Sequence, residues 1–245
     1  MDRRTYLRAA ASLGTLPLWK WAETQGVPEK PLHVLVTGAH PDDPETGCGG
    51  LIALLSKAGH QVSVAYLTRG EAGIEGTGHN EAARIRTAEA TEASTLLAFK
   101  PYYLGQVDGA TVVNPEAYQN VYEFVTSLTP DLLLTHWPMD SHRDHRICSM
   151  LTYDAWLRMP DKPALYYYEV MSGIQTHNFN PTDYVDITAV LDLKHQACFA
   201  HRSQFIEKSY PNDHGRMELF RGMEGGFDYA EAYIRHSKSR DIELT

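Results

Sequence analysis

The chain has 245 residues, 43% of them hydrophobic and 22% charged, which excludes intrinsic disorder and collagen-like repetition and allows one full core or at most two small ones. Lys and Arg number 22 against 31 Asp and Glu, a net charge of −9 with no basic run, which argues against nucleic acid as a partner. Three scattered cysteines (Cys48, Cys148, Cys198) offer neither a disulfide framework nor a cysteine zinc site, whereas twelve histidines are unusually many, and the question is whether any converge.

Residues 1–30 read as a tail. The uncharged run Ala9 to Trp19 is broken by Gly14 and Pro17 and is too short to span a bilayer. Arg3-Arg4 followed by Tyr6-Leu7-Arg8 resembles a twin-arginine export signal, which would make the protein periplasmic or exported; if it is not used, the protein is cytoplasmic. From residue 31 to 245 the chain reads as one domain. His33 to Ala39 is a buried strand, and Leu51, Ile52, Leu54, Leu55 and Ala58 line a helix that Gly59 stops. Gln61 to Thr68 is the next strand. A helix from Glu81 to about Ala98 follows, with Asn80 as its cap and Arg86 within i,i+3 reach of Glu89. Strand Tyr102–Gly105, helix Pro115–Leu128, strand Asp131–Thr135, helix 142–157, strand 165–170 and helix Thr188 to about Ala200 continue the alternation, and Tyr229 to His236 looks helical. Uniformly apolar strands alternating with helices predict an α/β fold: a single Rossmann-like domain with a mostly parallel β-sheet, helices on both faces, and the active site at the carboxyl ends of the strands.

Two clusters rich in His and Asp fall at such strand ends. The first, His40-Pro41-Asp42-Asp43-Pro44-Glu45, follows the first strand. Its prolines stiffen the loop, and its adjacent carboxylates are free to point in different directions. His40 with Asp43 suits zinc; the ordinary alternative is that Asp43 or Thr46 merely caps the next helix. Gly47, Gly49 and Gly50 do not form a phosphate-binding G-x-G-x-x-G, and two carboxylates would repel a phosphate. The second cluster runs from Thr135 to Arg146. Ser141 and Asp144 look like a capping box, and His142 and His145 share a helix face. Asp144 is either the helix cap or a carboxylate that fixes an imidazole tautomer, and Arg143 and Arg146 read as a solvated face. The two clusters together supply His, Asp and His with open positions for water, the pattern of a catalytic metal site. Two His and one carboxylate also fit Fe²⁺ enzymes, and a non-catalytic metal- or carbohydrate-binding protein is a further alternative.

These residues resemble a known family. AHPDD-x-E-x-G-x-GG, the stretch Leu67 to Glu71, the later H-x-D-H, Leu104-Gly105-x-x-Asp108-Gly109, Val185 to Thr188, His201-x-Ser203-Gln204 and Tyr229 to Ala232 together look like the LmbE/PIG-L zinc-dependent N-deacetylases, from about Leu32 onward. The resemblance implies that His40, Asp43 and His145 bind zinc, that Asp42 is the general base, and that His142 stabilises the oxyanion or protonates the leaving amine with Asp144 behind it. Arg69, Glu71 and Asp108 match positions near the substrate. It further implies hydrolysis of an acetamide on an N-acetylglucosamine-type glycan or glycoconjugate, and a homo-oligomer, trimeric or hexameric. Arg143 stands where the family usually has proline. Trp137, Trp156 and Tyr166 to Tyr168 are candidates for stacking on sugar rings, against the commoner role of aromatic core.

Overall fold

Period-two alternation within the apolar runs decides how the layers form. In a computed structural model that describes residues 30–240, strand β1 (His33–Gly38) turns Val34 and Val36 into one core and Leu35 into the other. Strands β2 (Gln61–Tyr66) and β4 (Leu132–His136) divide their side chains the same way, Val64 and Leu134 to the first core, Ala65 and Leu133 to the second. The first core is closed by helices α1 (Asp43–Lys57), α2 (His79–Leu97) and α5 (Leu191–Phe199), the second by α3 (Pro115–Leu128) and α4 (Arg143–Arg158). With β3 (Lys100–Tyr103), β5 (Ala164–Tyr168), β6 (Asp183–Asp186) and β7 (Ala230–Arg235), the sheet has the order β3-β2-β1-β4-β5-β7-β6. Its pairings are parallel from β3 through β5, and β7 runs antiparallel to both its neighbours. This is the expected mostly parallel sheet with helices on both faces. The chain order reverses between β1 and β4, and there the loops after the two strands separate into a crevice.

Several local expectations differ from the structure. The segment at 229–236 is β7 rather than a helix, and β6, the short α6 (Ile206–Ser209) and α7 (His214–Gly225) had no forecast. Helix α1 begins at Asp43 rather than at Leu51, because its glycines are there for close approach: a Cβ on Gly47 would lie 2.5 Å from the ring of Tyr168. Helix α2 starts at His79, with Gly78 rather than Asn80 at the cap. Trp156 and Tyr166 to Tyr168 are buried in the cores and are structural, whereas Trp137 is half-buried and its indole donates to the His177 carbonyl. The export-signal segment lies outside the described residues. Among those residues no helix is long and apolar enough to cross a membrane.

A buried ionic knot ties the late elements to α1. Lys194 on α5 lies 2.9 Å from Glu218 on α7 and 2.8 Å from Glu231 on β7. Glu231 also accepts the backbone N–H groups of Gly50 and Leu51, and Glu218 accepts the Tyr210 hydroxyl. Burial alone would raise the Glu218 carboxyl, but Lys194, His195 and Tyr210 hold it down at about 2, against 4.5 when exposed. A carboxyl depressed on folding stabilises the protein above its unfolded value, and that stability is lost as the pH falls from 4.5 towards 2. Glu218→Gln is expected to cost about 3 kcal/mol at pH 7 and to flatten the acid-unfolding profile across that window. Urea melts of both proteins from pH 7 to pH 2 check this; parallel losses of stability would mean the knot contributes nothing.

Candidate active site

The crevice between β1 and β4 gathers its side chains from two loops that hold themselves in shape. After β1, Gly38 lets Pro44 fold back over the strand end, where a Cβ would lie 2.6 Å from the proline ring. His40 donates its backbone N–H to Asp43 Oδ2 at 2.8 Å, and its Nδ1 lies 3.2 Å from the same oxygen. Asp42 caps α1 with φ at +113°, a backbone region that side chains other than glycine seldom adopt. Its carboxylate accepts from Arg86 Nη2 at 2.8 Å, and the same nitrogen donates to the Pro41 carbonyl. Arg86 is itself buried beside Gly70, where a Cβ would come within 2.6 Å of its Cδ. It therefore does not pair with Glu89, which instead accepts from the backbone and hydroxyl of Ser203.

After β4 the second loop is pinned by Asp140. This buried carboxylate accepts the backbone N–H of His142 at 2.8 Å and the Thr176 hydroxyl at 3.0 Å, and lies 3.3 Å from His145 Nδ1. Arg143 and Arg146 are exposed, as expected of a solvated face, and Arg146 also donates to the carbonyls of Asp140 and Ser141. Helix α4 is capped by the imidazole of His142, whose Nδ1 accepts the Asp144 backbone N–H at 3.2 Å, and not by Ser141. His145, one turn in, places Nε2 3.2 Å from Asp43 Oδ1, so the two loops meet at that carboxylate.

The structure brings His40, Asp43, His142 and His145 together. The His40 and His142 rings are 4.7 Å apart, as are those of His142 and His145. Asp108 and Asp144 close the other side of His40, 3.1 and 3.3 Å from its Nε2. Asp144 does not support His142 as the sequence suggested. Its carboxylate turns away to accept the Thr111 hydroxyl at 2.6 Å and the Gly109 backbone N–H at 2.8 Å, holding the 104–113 loop over the site. Arg143 secures the same loop at the Gly109 carbonyl. Glu71 accepts the backbone N–H groups of Asp108 and Arg69, and Arg69 is exposed, its guanidinium 5.4 Å from the centre of the Tyr103 ring; neither side chain joins the histidine group. Sequence reasoning missed Arg86, His136 and Asp140. A histidine ending an apolar strand and an aspartate ahead of H-x-D-H were available signals for the last two; Arg86 has no local signal.

Three donor groups have atoms close enough to share a metal: His40, His142 and His145; Asp43, His136 and His145; and His40, Asp108 and Asp144. His136 Nε2 already accepts the Ala39 backbone N–H at 3.0 Å, so that imidazole is committed to the strand end. Asp144 is committed to the 104–113 loop, and His142 Nδ1 to its helix cap. His142 keeps Nε2 as a donor, and the donors offered across these groups, imidazoles and carboxylates, are of the types that fit zinc or Fe²⁺. The field of the site agrees. Burial pushes the His40 imidazole down, but the carboxylates of Asp108, Asp144 and Asp43 outweigh it and hold it well above its ordinary value. Burial likewise opposes His145, yet Asp43 and Asp140 raise it to about 9. The carboxylates around His40 and His145 thus favour positive charge at those two rings, while burial and neighbouring positive charge lower His136 and His142.

Comparison with known proteins follows the same line. Residues 35–156 match the PIG-L family, described as GlcNAc-PI de-N-acetylase. The chain is 28% identical over 216 residues to the diacetylchitobiose deacetylase of Thermococcus kodakarensis, covering 81% of this chain and 80% of that protein. Among solved structures, the conserved protein TT1542 from Thermus thermophilus superposes with a TM-score of 0.74 at 31% identity, covering 87% of this chain and 99% of that one. The N,N'-diacetylchitobiose deacetylase from Pyrococcus horikoshii gives a TM-score of 0.78 at 26% identity, with 95% and 91% covered. With its strand order, its ordered motifs and this likeness across most of its length, the chain belongs to the PIG-L (LmbE-like) family of N-deacetylases.

Proposed function

We propose that the protein is a metal-dependent hydrolase that removes the acetyl group from the amide nitrogen of an N-acetylglucosamine-type sugar or glycoconjugate. The observation that carries this reading is the meeting of His40, Asp43 and His145 beside a second carboxylate, Asp42, that is held apart from them by Arg86. Relatives named as diacetylchitobiose deacetylases support the acyl group and the sugar class. The homo-oligomer implied by the family resemblance belongs to the same proposal.

His40, Asp43 and His145 would hold zinc, which supplies an acidified water and a polarised amide oxygen when bound. Asp42 is the general base. Burial raises its carboxyl despite the opposing charge of Arg86, which makes it the better proton acceptor. Arg86 holds Oδ2 and the capping box sets the side chain against the Glu45 backbone, so the carboxylate that accepts the proton of the attacking water is fixed in place. The His142 tautomer follows from its cap: with Nδ1 accepting from Asp144, the neutral ring carries its hydrogen on Nε2. Burial first, and then the charges of His40 and His145, keep this ring below its ordinary value and therefore neutral at neutral pH. His142 thus serves as a hydrogen-bond donor to the oxyanion rather than as the acid, and the proton taken by Asp42 is the one returned to the leaving amine.

Incubating the zinc-loaded protein with N-acetylated mono- and disaccharides and measuring acetate is the direct test; metal-loaded protein that releases none from any of them contradicts the reading. Asp42→Ala is expected to keep its metal and lose about 10²–10⁴-fold in turnover, while Asp43→Ala loses the metal itself. Metal analysis alongside rates distinguishes the two, and a metal-free Asp42→Ala would reverse the assigned roles. His142→Ala should lower kcat by about 10²–10³-fold with metal retained, and His142→Gln, which restores an N–H donor, should recover part of that loss. Equal rates for the two variants would remove the donor role.

A further inference from the structure

Asp42 occupies its positive-φ conformation between two prolines, and something must hold it there. The first-turn residue Glu45 is fully buried, which is rare for a capping-box glutamate, since such a side chain ordinarily lies at a solvated helix end. Its Oε2 accepts the backbone N–H of Asp42 at 3.2 Å. Its Oε1 accepts the Tyr66 hydroxyl from the end of β2 at 2.6 Å and lies 3.2 Å from His201 Nε2, beyond the end of α5. Tyr66 and His201 are also completely buried, and neither His201 nitrogen has a well-aligned hydrogen-bond partner. Two segments distant in sequence thus converge on one carboxylate whose remaining contact is the backbone of Asp42. A helix cap needs only the acceptor. A buried carboxylate fixed from two further directions costs desolvation that capping alone does not require.

We propose that Glu45, fixed by Tyr66 and His201, is a positioning residue that keeps Asp42 in its positive-φ conformation and so aims its carboxylate. This rests on the reading of Asp42 as the general base, and it predicts a structural effect that can be observed without that reading. The Asp42 backbone is held at its N–H by Glu45 and at its carbonyl by the backbone and hydroxyl of Thr46, while Arg86 holds the side chain. Removing Glu45 frees the N–H side of this arrangement and leaves His40, Asp43 and His145 with their own contacts.

The test compares Glu45→Ala, Glu45→Gln and Tyr66→Phe with the wild type by crystal structure, metal content, thermal unfolding and acetate-release kinetics. In Glu45→Ala, residue 42 is expected to leave the positive-φ region while metal content stays unchanged. Its kcat is expected to fall by about 10–100-fold, with KM within about two-fold. Glu45→Gln keeps an oxygen acceptor for the Asp42 N–H and should recover most of kcat, and Tyr66→Phe, the milder variant if Glu45→Ala fails to fold, should lower kcat in the same direction. An Asp42 that keeps its positive φ and carboxylate position in Glu45→Ala overturns the proposal, whether or not the wild type deacetylates. So does a joint loss of metal, thermal stability and kcat in all three variants, because Glu45 would then be a structural residue only. A wild type that releases no acetate while residue 42 still shifts in Glu45→Ala upholds the positioning and refutes the assigned reaction.

Discussion

A buried carboxylate facing three imidazoles is the constraint on which the rest of the site depends. Asp43 cannot stay charged in that interior without positive charge nearby. Burial pushes its carboxyl up, but His145, His136 and His40 together hold it well below the usual carboxylate range. Each of those imidazoles comes from a different place: His40 from the loop after β1, His136 from the end of β4, and His145 from the first turn of α4. The reversal of strand order between β1 and β4 is what brings the three places within reach of one another.

Around Asp43 the remaining carboxylates are separated by what they accept. Asp140 takes the backbone of its own loop and faces His145, so the second histidine cluster is aimed from behind. Asp108 faces His40 with one oxygen and accepts the Ala72 backbone N–H with the other, while Asp144 faces His40 and the Gly109 N–H with one oxygen and accepts the Thr111 hydroxyl with the other, which fixes the walls of the crevice. Asp42 pairs with the buried guanidinium of Arg86 and belongs to the capping box of α1, whereas the guanidinium nearest Asp144 is that of the exposed Arg143, 3.6 Å away. The sequence crowds these acids into a few short stretches. Under the proposed reaction, their different partners are what make one a metal ligand, one a base and the others structural supports.

Much of this was legible in the order of residues. Apolar runs such as His33 to Gly38 and Leu132 to His136 are short, β-rich and bounded, so strand, sheet class and the location of both clusters followed from pattern alone. The misread elements lie where the pattern is weak. Strand β7 reads AEAYIR, and alanine and glutamate favour a helix, yet Glu231 is drawn inward by Lys194 and by the α1 backbone. Strand β6 has four residues, and α7 carries glycines at 215, 222 and 225, leaving little periodicity to detect. Within the site, ligand types at strand ends were visible, but the partner of each was not. Arg86 reaches a residue 44 positions upstream, and the Asp144 carboxylate chose the 104–113 loop over the neighbouring His142. Such choices are settled by tertiary packing, which no local spacing encodes.

Under the proposed function, the pocket's carboxylates and imidazoles are arranged around one divalent cation between the loops after β1 and β4. Anomalous diffraction at the zinc edge from crystals soaked at stoichiometric zinc tests it most directly. One peak within bonding distance of His40, Asp43 and His145 is the predicted result; a peak at Asp108 and Asp144 without His145, or none in the crevice, would contradict it.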